Sequence, residues 1–163
     1  MSEAARLRPI EDHDWPAITT LEAHTYSGKG LAEGPETLRT RANPDTSFVL
    51  DTGGGLGGYL LALPYPDGSF PDLTRPEAGA CRSGNLHLHD LVIAPGLRAR
   101  GWGRLLVRHL TAIARPQRYE RISLVSVGAT EGFWAACGFR PHPQVALPGS
   151  YGPAAVYMSS EIG

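Results

Sequence analysis

Apolar positions recur along this chain in short blocks, some with the period of a strand and some with that of a helix, and their order predicts a mixed α/β chain. Arg6 to Ile10 predicts a first strand. Asp12 or Asp14 then caps a helix carrying Trp15, Ile18, Leu21 and Ala23 that ends near His24. Thr25 to Leu31 is glycine-rich and flexible, and Gly34-Pro35 opens a second short helix through Leu38 and Arg41. Ser47 to Leu50 and Leu56 to Leu63 read as two strands joined through Thr52-Gly53-Gly54-Gly55. Between Pro64 and Gly84 periodicity lapses among Pro64, Pro66, Pro71 and Pro76. This reads as a long loop and not a linker, because no second core follows it. Leu86 to Ile93 is apolar except for His87, His89 and Asp90 and stops at Ala94-Pro95-Gly96, the pattern of a buried strand closed by a turn. Leu105, Leu106, Leu110 and Ile113 then share one helix face, Arg104, Arg108 and Arg115 stay polar, and Pro116 ends the run. Arg121 to Val127 predicts a strand, Ala129 to Cys137 a short helix, and Val145 to Ala146 and Ala154 to Ser159 the terminal strands.

The junction between the histidine-bearing strand and the arginine-lined helix carries the most chemistry. Arg98-Ala99-Arg100-Gly101-Trp102-Gly103-Arg104 places glycines where a helix begins. Unpaired backbone N–H groups and the positive end of the helix dipole meet there, and glycines let an anion approach the backbone closely. Arg98, Arg100 and Arg104 add charge, so the expected ligand is a pyrophosphate. A Walker loop is excluded, since Trp102-Gly103 stands where Lys and Ser/Thr are required, and the dinucleotide fingerprint fails at Leu106, where a third glycine is needed.

Arg98 to Gly103, directly after a strand, resembles the coenzyme A loop of the GNAT acyltransferases, Gln/Arg-x-x-Gly-x-Gly/Ala. Within that superfamily, His87-Leu88-His89 on the preceding strand resembles the His-Leu-His of the arylalkylamine (serotonin) N-acetyltransferases, where it supplies catalytic base function. Phe133-Trp134-Ala135-Ala136-Cys137-Gly138-Phe139 is similar to the family's Phe-Tyr-x-x-x-Gly-Phe. The resemblance covers the N-terminal third only in outline. It implies a single GNAT-type domain over residues 1–163, with a mixed, largely antiparallel sheet of six or seven strands. About four helices would flank it, and the sheet would split where Leu86 to Ile93 and Arg121 to Val127 diverge. It further implies that acetyl-CoA or another acyl-CoA is held by Leu91, Val92 and Ile93, by the loop residues Arg98, Ala99, Arg100, Gly101, Trp102, Gly103 and Arg104, and by Phe133 and Trp134. The acceptor would meet Tyr26 and Leu31, since in related enzymes that region folds over the acceptor site. Where the family carries a tyrosine able to protonate the departing thiolate this chain has Trp134, whose indole N–H is too weak an acid for that task.

Composition narrows the rest. A chain of 163 residues, 42% hydrophobic, suits one globular domain, and a net charge of -1 gives no general attraction to nucleic acid or anionic lipid. No apolar run is long enough to span a membrane and the N-terminus lacks a signal-peptide core, so a cytoplasmic protein is expected, monomeric or homodimeric. Cys81 and Cys137 show neither disulfide nor zinc spacing, and no metal is expected.

The chemistry that fits is acyl transfer to a primary amine of a small molecule. An alkylamine has a pKa of about 10, so a base must free its lone pair before it can attack a thioester, and imidazole suits that task. His87 and His89, two apart on a strand, point to one face and are the expected bases. Asp90 points away from them on a regular strand, and a bulge would turn it toward them. The alternative acceptors are an amino acid, a polyamine or a biosynthetic intermediate, and the non-enzymatic alternative is an acyl-CoA-binding module.

Overall fold

The structure is a computed structural model that describes residues 5–163. Its frame is a seven-stranded sheet in the order β1-β2-β3-β4-β5-β7-β6. The strands are β1 (Arg6–Pro9), β2 (Phe48–Asp51), β3 (Leu56–Pro64), β4 (Asn85–Ile93), β5 (Arg121–Ser126), β6 (Arg140–Pro141) and β7 (Val156–Glu161). All neighbours run antiparallel except β4 and β5, which are parallel. The helices are α1 (Trp15–Tyr26), α2 (Pro35–Arg39), α3 (Trp102–Ala114) and α4 (Glu131–Ala136). None is long and apolar enough to cross a membrane.

Two apolar clusters cover the two faces of the sheet. Trp15 and Ile18 of α1 and Leu38 of α2 pack with Val49, Tyr59, Leu61 and Val92 on one face. Leu106, Val107, Leu110 and Ala114 of α3 pack with Phe48, Leu60, Leu86, Leu88, Ile122 and Leu124 on the other. The buried stripe of α3 is rotated from the expected one. Leu105 is exposed and Ile113 only half-buried, while Val107 and Ala114 turn inward.

The expected strand at Val145–Ala146 does not form. Its place at the sheet edge is taken by the two residues Arg140 and Pro141, paired with Ser159 and Met158 of β7. Pro141 and Pro143 have no N–H to continue a ladder, which confines this strand to the edge and keeps it short. The loop from 65 to 84 is pinned to the body at several points. Gly68 donates its N–H to the Tyr157 hydroxyl (2.8 Å), the Tyr151 hydroxyl donates to the carbonyl of Pro71, and Arg121 pairs with Asp67 (2.6 Å).

Two features of β4 create the site. Its parallel pairing with β5 covers only Asn85, Leu86 and His87, so beyond His87 the two strands part and one edge of β4 has no strand beside it. In its antiparallel pairing with β3, Leu61 faces Asp90 while Ala62 faces Leu88, leaving His89 as the extra residue of a bulge. The alternation of side chains slips there. Leu86 and Leu88, then Leu91 and Ile93, face the α3 cluster, while Val92 packs with the α1 cluster.

Candidate active site

The parted strands open a cleft of about 310 Å³. One wall is β4 from Leu88 to Ile93, and the other is Leu124, Val125, Val127, Gly128 and Thr130 at the end of β5. Tyr26, Lys29, Leu31 and Glu33 close the α1 end together with Leu73 and Tyr151, and Arg98, Phe133 and Trp134 line the opposite end.

His89 lies in the wall with its side chain 4% exposed. Its Nε2 meets a carboxylate oxygen of Glu33, which lies just before α2. Glu33 is itself held by Arg41, whose Nε and Nη2 reach its other oxygen at 2.9 and 2.6 Å. Burial pushes the Glu33 carboxyl up, but the hydrogen bond and charge of His89, with Arg41 beyond, overbalance it and hold Glu33 below the usual range. An ionised Glu33 accepts a proton from Nε2, so in the neutral ring the lone pair of His89 is on Nδ1. That nitrogen is buried and has no hydrogen-bond partner.

Arg41 is fully buried and ties three segments together. Besides Glu33 it binds the Glu77 carboxylate and the carbonyls of Asp72 and Arg75, at 2.7 and 2.9 Å for the last two. The long loop is thereby attached to the residue that holds His89.

His87 takes a different place. Only His89 of the pair lines the cleft, with the two rings 6.4 Å apart. The Asn85 amide donates to the Ser123 hydroxyl (2.8 Å), which leaves that hydroxyl's proton for Nδ1 of His87 (2.9 Å). Burial, with His89 and Arg41 nearby, lowers the His87 imidazole to about 3 and keeps it neutral. Two residues of spacing put both rings on one side of the strand, but the bulge and the register with Ser123 set them at different depths.

Asp90 also faces the cleft, because the bulge restores it to the side of the histidines. Its oxygens accept from the hydroxyls of Tyr26 (2.7 Å) and Tyr59 (2.6 Å), which satisfies a buried group and ties β4 to α1 and β3. Burial pushes its carboxyl up. Glu22 joins it from α1, on the face that carries Trp15 and Ile18 at helical spacing. A carboxylate in an apolar stripe was the signal for it in the sequence, whereas Glu33 sits in a polar loop that gave none.

Residues 7–139 match the Acetyltransferase (GNAT) family. The chain belongs to that family. No curated protein matches the sequence. Among solved structures, the loading GNATL domain of CurA from Lyngbya majuscula superposes with a TM-score of 0.79 at 16% identity, over 98% of each chain. N-acetylglutamate synthase from Neisseria gonorrhoeae, complexed with coenzyme A and N-acetyl-glutamate, gives 0.74 at 18% identity over 99% of this chain. This chain spans only 36% of that one. The ribosomal-protein-S18-alanine N-acetyltransferase of Escherichia coli gives 0.70 at 14% identity over 98% of this chain and 95% of the other. At such identities the likeness speaks for the fold. The acceptors named for these GNAT neighbours differ from one another, so the family leaves the acceptor open.

On the GNAT frame, the expected coenzyme residues divide in two. Leu91, Val92, Ile93, Arg98, Phe133 and Trp134 line the cleft, as do Tyr26 and Leu31 at the acceptor end. Ala99, Arg100, Gly101, Trp102, Gly103 and Arg104 form the turn into α3 and lie outside it. Gly101 caps α3 at φ 85°, in the left-handed region that favours glycine, and a Cβ added there would point into open space. Gly103 is close-packed instead, since a Cβ would come within 3.1 Å of the Phe133 ring. The backbone at Gly101 is therefore uncovered on its Cβ side, and the Phe133 ring lies over the first turn of the helix. The open helix start at Gly101 lies just beyond β4, whose edge past His87 has no strand beside it.

Proposed function

We propose that this protein transfers an acetyl or other short acyl group from acyl-CoA to the primary amine of a small molecule by direct attack on the thioester, with His89 as the base. One observation carries the reading: a cleft imidazole with Nε2 held by a carboxylate and Nδ1 free. His89 takes the ammonium proton at Nδ1, directly or through one water, and Glu33 stabilises the imidazolium that results. Acyl-CoA, when bound, supplies the activated acyl carbon. A backbone N–H in the stretch Leu91 to Ile93 that β3 leaves unpaired would receive the oxyanion, and the Arg98 to Arg104 turn would receive the diphosphate. Phe133 and Trp134 flank the chain between them.

Trp134 does not block this route. A thiol with a pKa of about 8.5 leaves as thiolate without a strong acid, and the proton gathered by His89 balances it. His87 is assigned no proton, because its Nδ1 is engaged by Ser123 and burial keeps the ring neutral. The His87-Leu88-His89 motif favours an alkylamine or arylalkylamine acceptor over an amino acid.

Incubation with acetyl-CoA and a broad amine panel is expected to release free thiol with at least one acceptor. His89→Gln should lower kcat by about 100-fold or more, in line with general base catalysis, without weakening coenzyme binding. Unchanged turnover in that variant would remove the imidazole from the mechanism. Coenzyme binding without thiol release from any amine would favour the acyl-CoA-binding module, the reading to which Trp134 lends support.

A further inference from the structure

Three carboxylates surround the acceptor end of the cleft, and the fold treats them differently. Glu33 has Arg41 and His89, and Asp90 has two tyrosine hydroxyls. Glu22 has neither. One of its oxygens accepts the backbone N–H of Glu33 (2.7 Å), and the other, Oε1, is buried and has no partner. The residue is 1% exposed and lines the cleft. Among the described residues no cation pairs with it.

A carboxylate is costly to bury unless a cation or several donors accompany it. Burial and the nearby charges of Asp90 and Glu33 raise the proton affinity of Glu22, the response of a group that lacks a counterion. Glu22 binds the backbone of Glu33, whose side chain holds His89, so both groups are fastened to the same residue. Tyr26, Leu31, Leu73 and Tyr151 line the same cleft and offer apolar surface to a short hydrocarbon spacer. Lys29 also lines this end, but it is exposed at the rim.

We infer that Glu22 is the specificity-determining residue of the acceptor subsite: its free oxygen receives a second cationic nitrogen of the acceptor, so the substrate class is a small diamine. The inference rests on the proposed function, with one nitrogen at Glu22 and the other at His89. An acceptor with a carboxylate in that position would face Glu22 and Asp90 together and be rejected by like charge.

Direct binding tests this independently of turnover. Diaminobutane, butylamine and aminobutyrate are titrated calorimetrically into the CoA-saturated protein. Diaminobutane is expected to bind at least about tenfold more tightly than butylamine, as for a charge-assisted hydrogen bond, with aminobutyrate weakest. Glu22→Gln should erase the advantage of diaminobutane over butylamine. Equal affinities for the diamine and the monoamine in the unaltered protein would overturn the inference, whether or not the variant folds. So would a Glu22→Gln protein, folded by its thermal transition, that keeps the preference, since Oε1 would then hold only water. The preference without thiol release would sink the catalytic reading alone, and thiol release without the preference would sink this inference alone.

Discussion

The carboxylate of Glu33 decides which nitrogen of His89 is free. A buried imidazole with two equivalent surroundings would divide its proton between two tautomers, and only one of them leaves the lone pair on the unpartnered Nδ1. Glu33 selects that one and, in the proposed mechanism, balances the imidazolium that forms. Glu33→Gln keeps the size and loses the charge. It should lower kcat by about 10- to 100-fold, as other residues that orient a histidine do, with the KM for acyl-CoA little changed. Steady-state kinetics with both substrates varied would measure this. A kcat equal to that of the unaltered protein would mean that His89 needs no orienting partner. Because Glu33 is held below the usual carboxylate range, its contribution to stability is complete above about pH 4.5, the unfolded value. It is lost as the pH falls below that through the folded value, so the kinetics near neutral pH are read on a folded protein.

At the scale of elements, the turn into α3 and the bulge in β4 do the positioning. α3 begins at Trp102 with a glycine cap and no side-chain cap, so its first amides have no side-chain partner. Gly103→Glu puts a side chain into the Phe133 ring and a negative charge at the end of the helix where an anion belongs. The expected outcome is a loss of acetyl-CoA affinity of at least about 100-fold, roughly 3 kcal/mol at 1.4 kcal/mol per tenfold, measured by calorimetry. The thermal transition should move little, since Phe133 is partly exposed and can give way. Retained affinity would dismiss this loop as the anion site. The bulge acts in a complementary way. One extra residue brings His89 and Asp90 to the same side of the sheet, the first to the Glu33 carboxylate and the second to the tyrosines that fasten α1 to it.

Across the whole molecule, the sheet holds β4 and β5 together at Asn85 to His87 and lets them part beyond, so the buried join is what keeps the cleft open. His87 sits in that join as a neutral ring. Its folded value of about 3 lies far below the ordinary 6.5 of the unfolded chain, so the unfolded state binds more protons between those limits. The stability this burial contributes is therefore present above about pH 6.5 and drains away as the pH falls. Lowering the pH from 7 to 5 should cost about 2 kcal/mol from this ring alone. Glu22 and Asp90, whose proton affinities are raised, act in the opposite direction, so the useful quantity is a difference between proteins. His87→Asn keeps an acceptor for the Ser123 hydroxyl but does not titrate. Urea unfolding at both pH values should show the unaltered protein losing about 2 kcal/mol more than the variant. Parallel losses would place the acid sensitivity elsewhere.

The order of strands and helices, the long loop, the arginine-glycine turn and the family were legible in the chain itself, because each rests on contacts between near neighbours that leave a period or a motif. Even the bulge left a trace: the apolar positions Leu86, Leu88, Leu91 and Ile93 slip by one between the second and third. Packing decided the rest. Val145 and Ala146 looked like a strand, yet the sheet edge was filled by Arg140 and Pro141, because a partner's register and not local preference selects an edge. The dyad joins positions 56 apart in the chain, and Arg41 reaches 36 residues to Glu77. Hydrogen bonds between distant polar side chains carry no periodicity, so only the folded sheet, by bringing α1, α2, β4 and the long loop to one end, determined which histidine faces the cleft and which acids surround it.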